Sequence, residues 1–113
     1  MTSSADIRLA SYGTLAPGRE NHHQLAGLDG YWRQGTVRGT LIRMSSGYLG
    51  LILDPQGPLV EVHLFESPDL LTHWLRLDAF EGPGYRRVTT RVSTTDGDAD
   101  ASIYVIAGDN PTR

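Results

Sequence analysis

The chain of 113 residues contains no cysteine. This absence excludes disulfide bonds, a thiolate nucleophile and cysteine-ligated zinc, and it is compatible with a reducing cytoplasm. No apolar run is as long as a membrane span, and residues 1–6 show neither the basic nor the apolar region of a signal peptide. We therefore expect a soluble, cytoplasmic protein with no membrane partner.

Charge is also sparse and spread evenly along the chain. Ten basic residues face thirteen acidic ones, for a net charge of −3, and the densest basic pair, Arg86-Arg87, is not part of a stripe. A nucleic-acid partner is therefore not expected. The four histidines show no metal-ligand spacing, and neither a P-loop nor a G-x-G-x-x-G sequence occurs. We expect no metal and no cofactor.

The length and a hydrophobic content of 39% predict one globular domain over residues 1–113. Thirteen glycines and six prolines act as punctuation between short segments. Six segments have the composition of strands: 7–12, 31–44, 48–53, 59–65, 86–94 and 101–106. Sequence order favours a meander, with a hairpin across residues 54–58 and a final hairpin across residues 95–98.

A helix is predicted to begin after Ser67, whose hydroxyl is a good N-cap, with Pro68 at the first helical position. It should run to residue 80 or 81 and stop at Gly82-Pro83. The predicted fold is therefore α+β: a small, mixed, mainly antiparallel curved sheet or barrel of about six strands, with one main helix against its side.

Glu81 stands out because it occupies an apolar face of this helix. At 100° per residue, the same face collects four large apolar side chains: Leu70, Trp74, Leu77 and Phe80. An unpaired carboxylate is costly to bury, so a functional role is one interpretation. The other is that the helix frays before residue 81 and the side chain turns to solvent. Nearby Asp78 is expected to accept backbone hydrogen bonds or to pair with an arginine.

A second cluster lies where the first strand runs into a glycine-containing turn, at Ser11-Tyr12-Gly13-Thr14-Leu15. Such a loop offers unpaired backbone N–H groups that can hold an anion or a developing oxyanion. An ordinary strand-to-turn transition has the same composition.

Two motifs, taken together, resemble those of a known protein family. The chain has Tyr12-Gly13-Thr14-Leu15 with Gly18 and Asn21 behind it, and later Leu77-Asp78-x-Phe80-Glu81-Gly82-x-x-Tyr85-x-Arg87. In this order they resemble the γ-glutamylcyclotransferase-like family, with its avirulence-induced and γ-glutamylamine cyclotransferase branches. The likeness extends over nearly the whole chain, including a closing strand with Tyr104.

The resemblance implies a small mixed barrel whose cavity lies between the loop and the glutamate. Glu81 would be the catalytic acid/base, and Tyr12, Gly13, Thr14 and Leu15 would bind a γ-glutamyl head, mainly through backbone groups. Many members have serine at the position of Thr14, and threonine keeps the hydroxyl. The implied reaction releases 5-oxoproline from a small γ-glutamyl amide, because the substrate's own α-amine attacks the γ-carbonyl carbon.

Other residues have more than one interpretation. Tyr85 and Tyr104 line the pocket or hydrogen-bond the Glu81 carboxylate, or they are core aromatics with the hydroxyl at the rim. Asn21 braces the loop, meets the ligand, or is an ordinary loop residue. Arg43 and Arg87 either hold the substrate α-carboxylate by a bidentate contact or are solvated at the surface.

At the level of function, the alternatives are a non-catalytic domain that binds a small ligand and an enzyme for a different γ-glutamyl-type amide. The amine side of the substrate is expected to be recognised by variable loops, at residues 16–30 and 54–58.

Overall fold

In the computed structural model, which describes residues 4–107, five strands close into a barrel that carries a sixth strand and a helix. The polar tail from residue 108, which the sequence predicts to fray, lies outside the described residues. The strands and the α-helix are β1 (Arg8–Ser11), β2 (Tyr31–Arg43), β3 (Leu49–Leu53), β4 (Leu59–Glu66), α1 (Trp74–Glu81), β5 (Tyr85–Thr94) and β6 (Gly97–Ile106). Short 3₁₀-helices occupy Ser4–Ile7, His22–Gln24 and Pro68–Thr72. The predicted α+β class is confirmed.

The barrel closes through long-range pairing. β1 lies between β4, to which it is antiparallel, and β6, to which it is parallel. β2 pairs with β4, β5 pairs with β6, and the contact of Thr36 with Ser93 joins β2 to β5. Gly35 permits this contact, because a Cβ at that position would come within 2.5 Å of a Val92 methyl group. The order around the barrel is therefore β2-β4-β1-β6-β5.

The predicted hairpin of β3 with β4 is wrong. β3 pairs with Gly39 to Arg43 of β2, and β4 pairs with the first part of the same strand. At the junction, Asp54 N–H donates to the Arg38 carbonyl, while Gly39 N–H donates to the Pro58 carbonyl. These two groups of β2 point in opposite directions, so β3 and β4 lie on opposite edges of β2. A strand of thirteen residues has room for both partners.

The final hairpin is confirmed, with a tighter turn than predicted. Thr94 pairs with Gly97, which leaves only two residues between β5 and β6. Gly97 has a φ of 111°, a conformation that favours glycine. Consequently β6 begins four residues earlier than the sequence indicates.

The single predicted helix is divided in two. Ser67 caps it as expected, since its Oγ accepts from Asp69 N–H at 3.1 Å. However, Pro68–Thr72 is a 3₁₀-helix, and α1 begins only at Trp74. Tertiary contacts hold this first turn, because Ser67 Oγ donates to the Asp29 carbonyl at 2.7 Å and Asp69 accepts from Asp29 N–H at 2.8 Å. The α-helix that ends at Glu81 therefore has eight residues.

Apolar side chains pack in two clusters on opposite faces of the strands. One contains Val62, Leu64 and Ile103 with other strand residues, and the other joins Leu9 and Phe65 to the helical segment. In that segment Leu70, Trp74 and Leu77 are buried as predicted, whereas Phe80 remains 38% exposed. Among residues 4–107, no helix combines the length and apolarity needed to cross a membrane.

Replacing Ser67 with alanine tests how firmly the helical segment is attached. The buried hydroxyl makes two hydrogen bonds, so we expect the free energy of unfolding to fall by about 1–3 kcal/mol in urea denaturation. Ser45→Ala, at an exposed position between β2 and β3, is the control. Equal losses in the two variants would contradict the assignment.

Candidate active site

A cavity of about 490 Å³ lies where the end of β1, the end of α1 and the β2–β3 turn meet. Every residue that the sequence analysis assigned to a site contributes to its wall: Tyr12, Gly13, Thr14, Leu15, Asn21, Glu81, Tyr85 and Tyr104. The wall also includes residues that the sequence analysis left out of the site: Arg19, Glu20, Arg43, Tyr48 and Phe80. The volume is within the range of small-molecule binding pockets.

Glu81 is the last residue of α1, and its side chain is half-buried on the cavity wall. The helix does not fray before it: Gly82 follows with φ 85°, and Gly82 N–H donates to the Asp78 carbonyl at 3.1 Å. Within residues 4–107, no hydrogen bond or ion pair reaches its carboxylate. Burial raises the pKa of Glu81 from 4.5 to about 7. Glu81 can therefore take up and release a proton near neutral pH.

The loop after β1 is held from behind by Asn21. Its side chain donates to Thr14 Oγ1 at 2.9 Å, and its N–H donates to the Thr14 carbonyl at 2.9 Å. Leu15 is 3% exposed and anchors the loop in the core. In the part of the chain that the structure describes, the N–H groups of Thr14 and Leu15 make no hydrogen bond. They are thus free of protein acceptors beside the cavity.

Four tyrosines line the cavity, and three of them direct their hydroxyls to protein acceptors. Tyr12 donates to the Tyr104 carbonyl, Tyr85 to the Leu49 carbonyl and Tyr104 to Asp78 Oδ1, the last two at 2.6 Å. Of the interpretations given to Tyr85 and Tyr104, lining the pocket is therefore the one that the structure supports, since neither hydroxyl donates to the Glu81 carboxylate. Burial raises the pKa of all three phenols, and the charge of Glu81 contributes to each increase. They remain neutral and can accept hydrogen bonds from a ligand.

Asp78 pairs with an arginine, as predicted. Arg87 donates through Nε to Oδ1 at 2.8 Å and through its terminal nitrogen to Oδ2 at 3.1 Å. The hydrogen bonds from Arg87 lower the pKa of Asp78. The guanidinium also lies 4.4 Å from the centre of the Trp74 ring, a cation–π contact. Because Arg87 is occupied in this way, it is not the arginine that meets a substrate carboxylate.

Arg43 reaches the cavity from the end of β2. Its guanidinium donates to the Gly47 carbonyl at 2.6 Å, and Gly47 and Tyr48 of the following turn also line the cavity. In the sequence, only its charge and type marked Arg43 as a candidate to hold a substrate carboxylate. Among residues 4–107, no group of three or more histidine, aspartate or glutamate side chains is placed to hold a metal ion.

Comparison with known proteins agrees with this architecture. A curated relative from Niallia circulans, the γ-L-glutamyl-butirosin B γ-glutamyl cyclotransferase, is 30% identical over 88% of this chain and 66% of its own length. The solved structure of YkqA from Bacillus subtilis aligns with a TM-score of 0.70 and 29% identity over 88% of this chain and 35% of YkqA. An AIG2-like protein from Mus musculus aligns with a TM-score of 0.73 and 20% identity, over 93% and 80% of the two chains.

These likenesses define a small α+β barrel of the γ-glutamyl cyclotransferase type. The model of the family described as gamma-glutamyl cyclotransferase, AIG2-like, matches residues 9–113, and the chain belongs to this family. The chain spans less than two thirds of the Niallia circulans relative and about a third of YkqA.

The raised pKa of Glu81 predicts a pH-dependent stability difference. The folded protein disfavours the ionised carboxylate, so wild type should lose stability relative to Glu81→Gln as pH rises from 4.5 to about 7. After allowance for partial solvent exposure, we expect a deficit of about 2 kcal/mol at about pH 8 and almost none near pH 4. Urea denaturation across this range measures it. Glu20→Gln, on the exposed part of the cavity wall, controls for the lost charge, and a constant difference with pH would contradict the burial of Glu81.

Asp78→Asn should destabilise the protein because it removes a hydrogen-bonded ion pair and weakens the bond to Tyr104. We expect a loss of about 1–2 kcal/mol in the free energy of unfolding, the side chains being partly exposed. The matched control is Asp100→Asn, which breaks the more exposed pair with Arg91 and should cost about 0.5 kcal/mol or less. Similar losses from both variants would show that the Asp78 network does not hold the helix.

Proposed function

We propose that this protein is a γ-glutamylcyclotransferase that forms 5-oxoproline from a small γ-glutamyl amide, with Glu81 as general acid and base. The observation that carries the proposal is a half-buried carboxylate of raised pKa that has no hydrogen-bond or ion-pair partner among residues 4–107. It lies on the same cavity as a loop whose N–H groups are unbonded within that range. Membership of the family supports the reaction class. A cytoplasmic location belongs to the same proposal.

The substrate supplies its own nucleophile in this reaction. The α-ammonium group transfers a proton to Glu81, and the free amine attacks the γ-carbonyl carbon to close a five-membered ring. The carbonyl oxygen carries a negative charge in the tetrahedral intermediate. When the bond from carbon to the leaving nitrogen breaks, Glu81 returns the proton to that nitrogen. The ring nitrogen still carries two hydrogens after the attack, and the second proton that it loses also passes to the departing amine, so the products are 5-oxoproline and the amine in its ammonium form. The enzyme therefore supplies orientation and proton transfer, and no protein nucleophile takes part.

The pKa of Glu81 suits this task. An α-ammonium group has a pKa of about 7.7–8.0, whereas an ordinary glutamate has one of about 4.3 and would be a weak base towards it. With its pKa raised to about 7, Glu81 is nearly matched to the amine. Proton transfer then proceeds without a large energetic penalty in either direction.

In the proposed complex, the loop Tyr12, Gly13, Thr14 and Leu15 holds the γ-glutamyl head. The N–H groups of Thr14 and Leu15 are the candidates to stabilise the oxyanion, since the described part of the chain offers them no acceptor. The phenolic oxygens of Tyr12 and Tyr85 can accept from the substrate ammonium, since their own protons are donated elsewhere. Asn21 and Tyr104 would then keep the loop and the helix in position.

Glu81→Gln should abolish turnover while the fold is retained. General acid–base catalysis contributes about 10²- to 10⁴-fold, and we expect a loss of that size in the rate of 5-oxoproline formation. The assay is mass spectrometry of 5-oxoproline after incubation with a panel of γ-glutamyl dipeptides and γ-glutamyl-lysine. Glu20→Gln, which removes another carboxylate of the cavity wall, should retain activity.

Two outcomes would reject the proposal. Full activity in Glu81→Gln would remove Glu81 from the mechanism. Thermal stabilisation of wild type by these ligands without any product would favour the alternative, a non-catalytic domain that binds a small ligand.

A further inference from the structure

Arg43 differs from Arg87, the other arginine that the sequence analysis named as a possible ligand for a substrate carboxylate. It is exposed at the end of β2, its guanidinium is held by the Gly47 carbonyl, and no carboxylate within residues 4–107 pairs with it. Arg87, by contrast, gives its paired N–H groups to Asp78. One nitrogen of the Arg43 guanidinium donates to a protein carbonyl, so its other N–H groups remain available to a carboxylate.

The charge at the exposed part of the cavity favours an anion. Three exposed charged residues line it: Arg19, Glu20 and Arg43. The formal charges of Arg19 and Glu20 sum to zero, so the net formal charge of these three residues is the positive charge of Arg43. A ligand group that rests against this rim is therefore expected to be negative.

The position of Arg43 separates it from the γ-glutamyl head. Glu81 and the loop at Tyr12 to Leu15 belong to the half-buried and buried part of the wall, whereas Arg43 is exposed at the end of β2. If the head binds between Glu81 and the loop, the amine portion of the substrate extends towards the exposed side. That portion must also leave the cavity as a separate product.

On the basis of the proposed function, we propose that Arg43 binds a carboxylate on the amine portion of the substrate. The substrate class is then γ-glutamyl amino acids or peptides with a free carboxylate near the scissile amide, in preference to γ-glutamyl amines without one. This assigns a specificity role to Arg43 and leaves the chemistry at Glu81 unchanged.

The test compares two substrates that differ only in this carboxylate, γ-glutamyl-alanine and γ-glutamyl-ethylamide. Wild type should prefer γ-glutamyl-alanine. Arg43→Gln should lower kcat/KM for γ-glutamyl-alanine by about 10-fold, mainly through KM, and that for the ethylamide by less than about 2-fold. The ratio of these two changes cancels the different basicities of the leaving amines. Arg43→Lys should keep part of the preference, because it keeps the charge.

Arg38→Gln is the matched control. Arg38 lies on the same strand, is exposed, and also donates to a glycine carbonyl, that of Gly57 at 2.9 Å, but it does not line the cavity. It should leave both substrates unaffected. Thermal unfolding of Arg43→Gln separates a folding defect from a loss of recognition.

Equal losses on both substrates in Arg43→Gln, or no loss on either, would overturn the inference while the cyclotransferase activity stands. If no substrate gives 5-oxoproline, the proposed function fails separately, and the role of Arg43 is then tested by calorimetric binding. The comparison is between Glu81→Gln and the double variant that also carries Arg43→Gln. The double variant should bind γ-glutamyl-alanine about 10-fold more weakly, whereas the affinity for the ethylamide should not change. An unchanged affinity ratio would reject the role of Arg43.

Discussion

The ion pair of Asp78 with Arg87 joins the short helix to the barrel, and the geometry of the cavity depends on it. Both oxygens of Asp78 are engaged by Arg87, and Oδ1 also accepts from Tyr104 on β6. Glu81 follows Asp78 by about one helical turn, so a fixed Asp78 also fixes the place where Glu81 enters the cavity. The backbone carbonyl of Tyr104 in turn accepts a hydrogen bond from the Tyr12 hydroxyl. One residue of β6 thus connects the helix to the loop on the other side of the cavity.

Most of the site could be predicted from the sequence because its residues lie in short local motifs. Helical periodicity alone singled out Glu81, since it depends only on the spacing of Trp74, Leu77 and Phe80 along one helix. The loop and the tyrosines came from the resemblance to a family, which periodicity could not replace. Phe80 shows the limit of the pattern: it has the spacing of a core residue, yet it lines the cavity and is 38% exposed. Periodicity indicates which side a residue lies on, but not where the packed core ends.

The parts of the fold that the sequence did not predict depend on distant partners. Nothing in the sequence of β3 and β4 shows that β2 lies between them, because the turn that joins them would suit a direct hairpin equally well. Likewise, the closeness of Gly35 to Val92 exists only after the barrel has closed. Arg43 was left out of the predicted site for a similar reason. Nothing in the sequence shows that the β2–β3 turn lies beside the loop after β1 and the end of α1.

Two carboxylates at the end of the same helix show how the surroundings divide structure from chemistry. Asp78 is held by an arginine and a phenol, which lower its pKa and keep it ionised as an anchor. Glu81, one turn further, is desolvated and has no such partner within the described residues, so its pKa rises to about 7. If Asp78 were not satisfied by Arg87, it would be a carboxylate without a counter-ion against the barrel, and the helix end would gain by turning it towards solvent. The raised pKa of Glu81 thus depends on the ion pair of Asp78 with Arg87. The ion pair keeps the helix against the barrel, and the resulting burial of Glu81 allows its carboxylate to hold a proton near neutral pH.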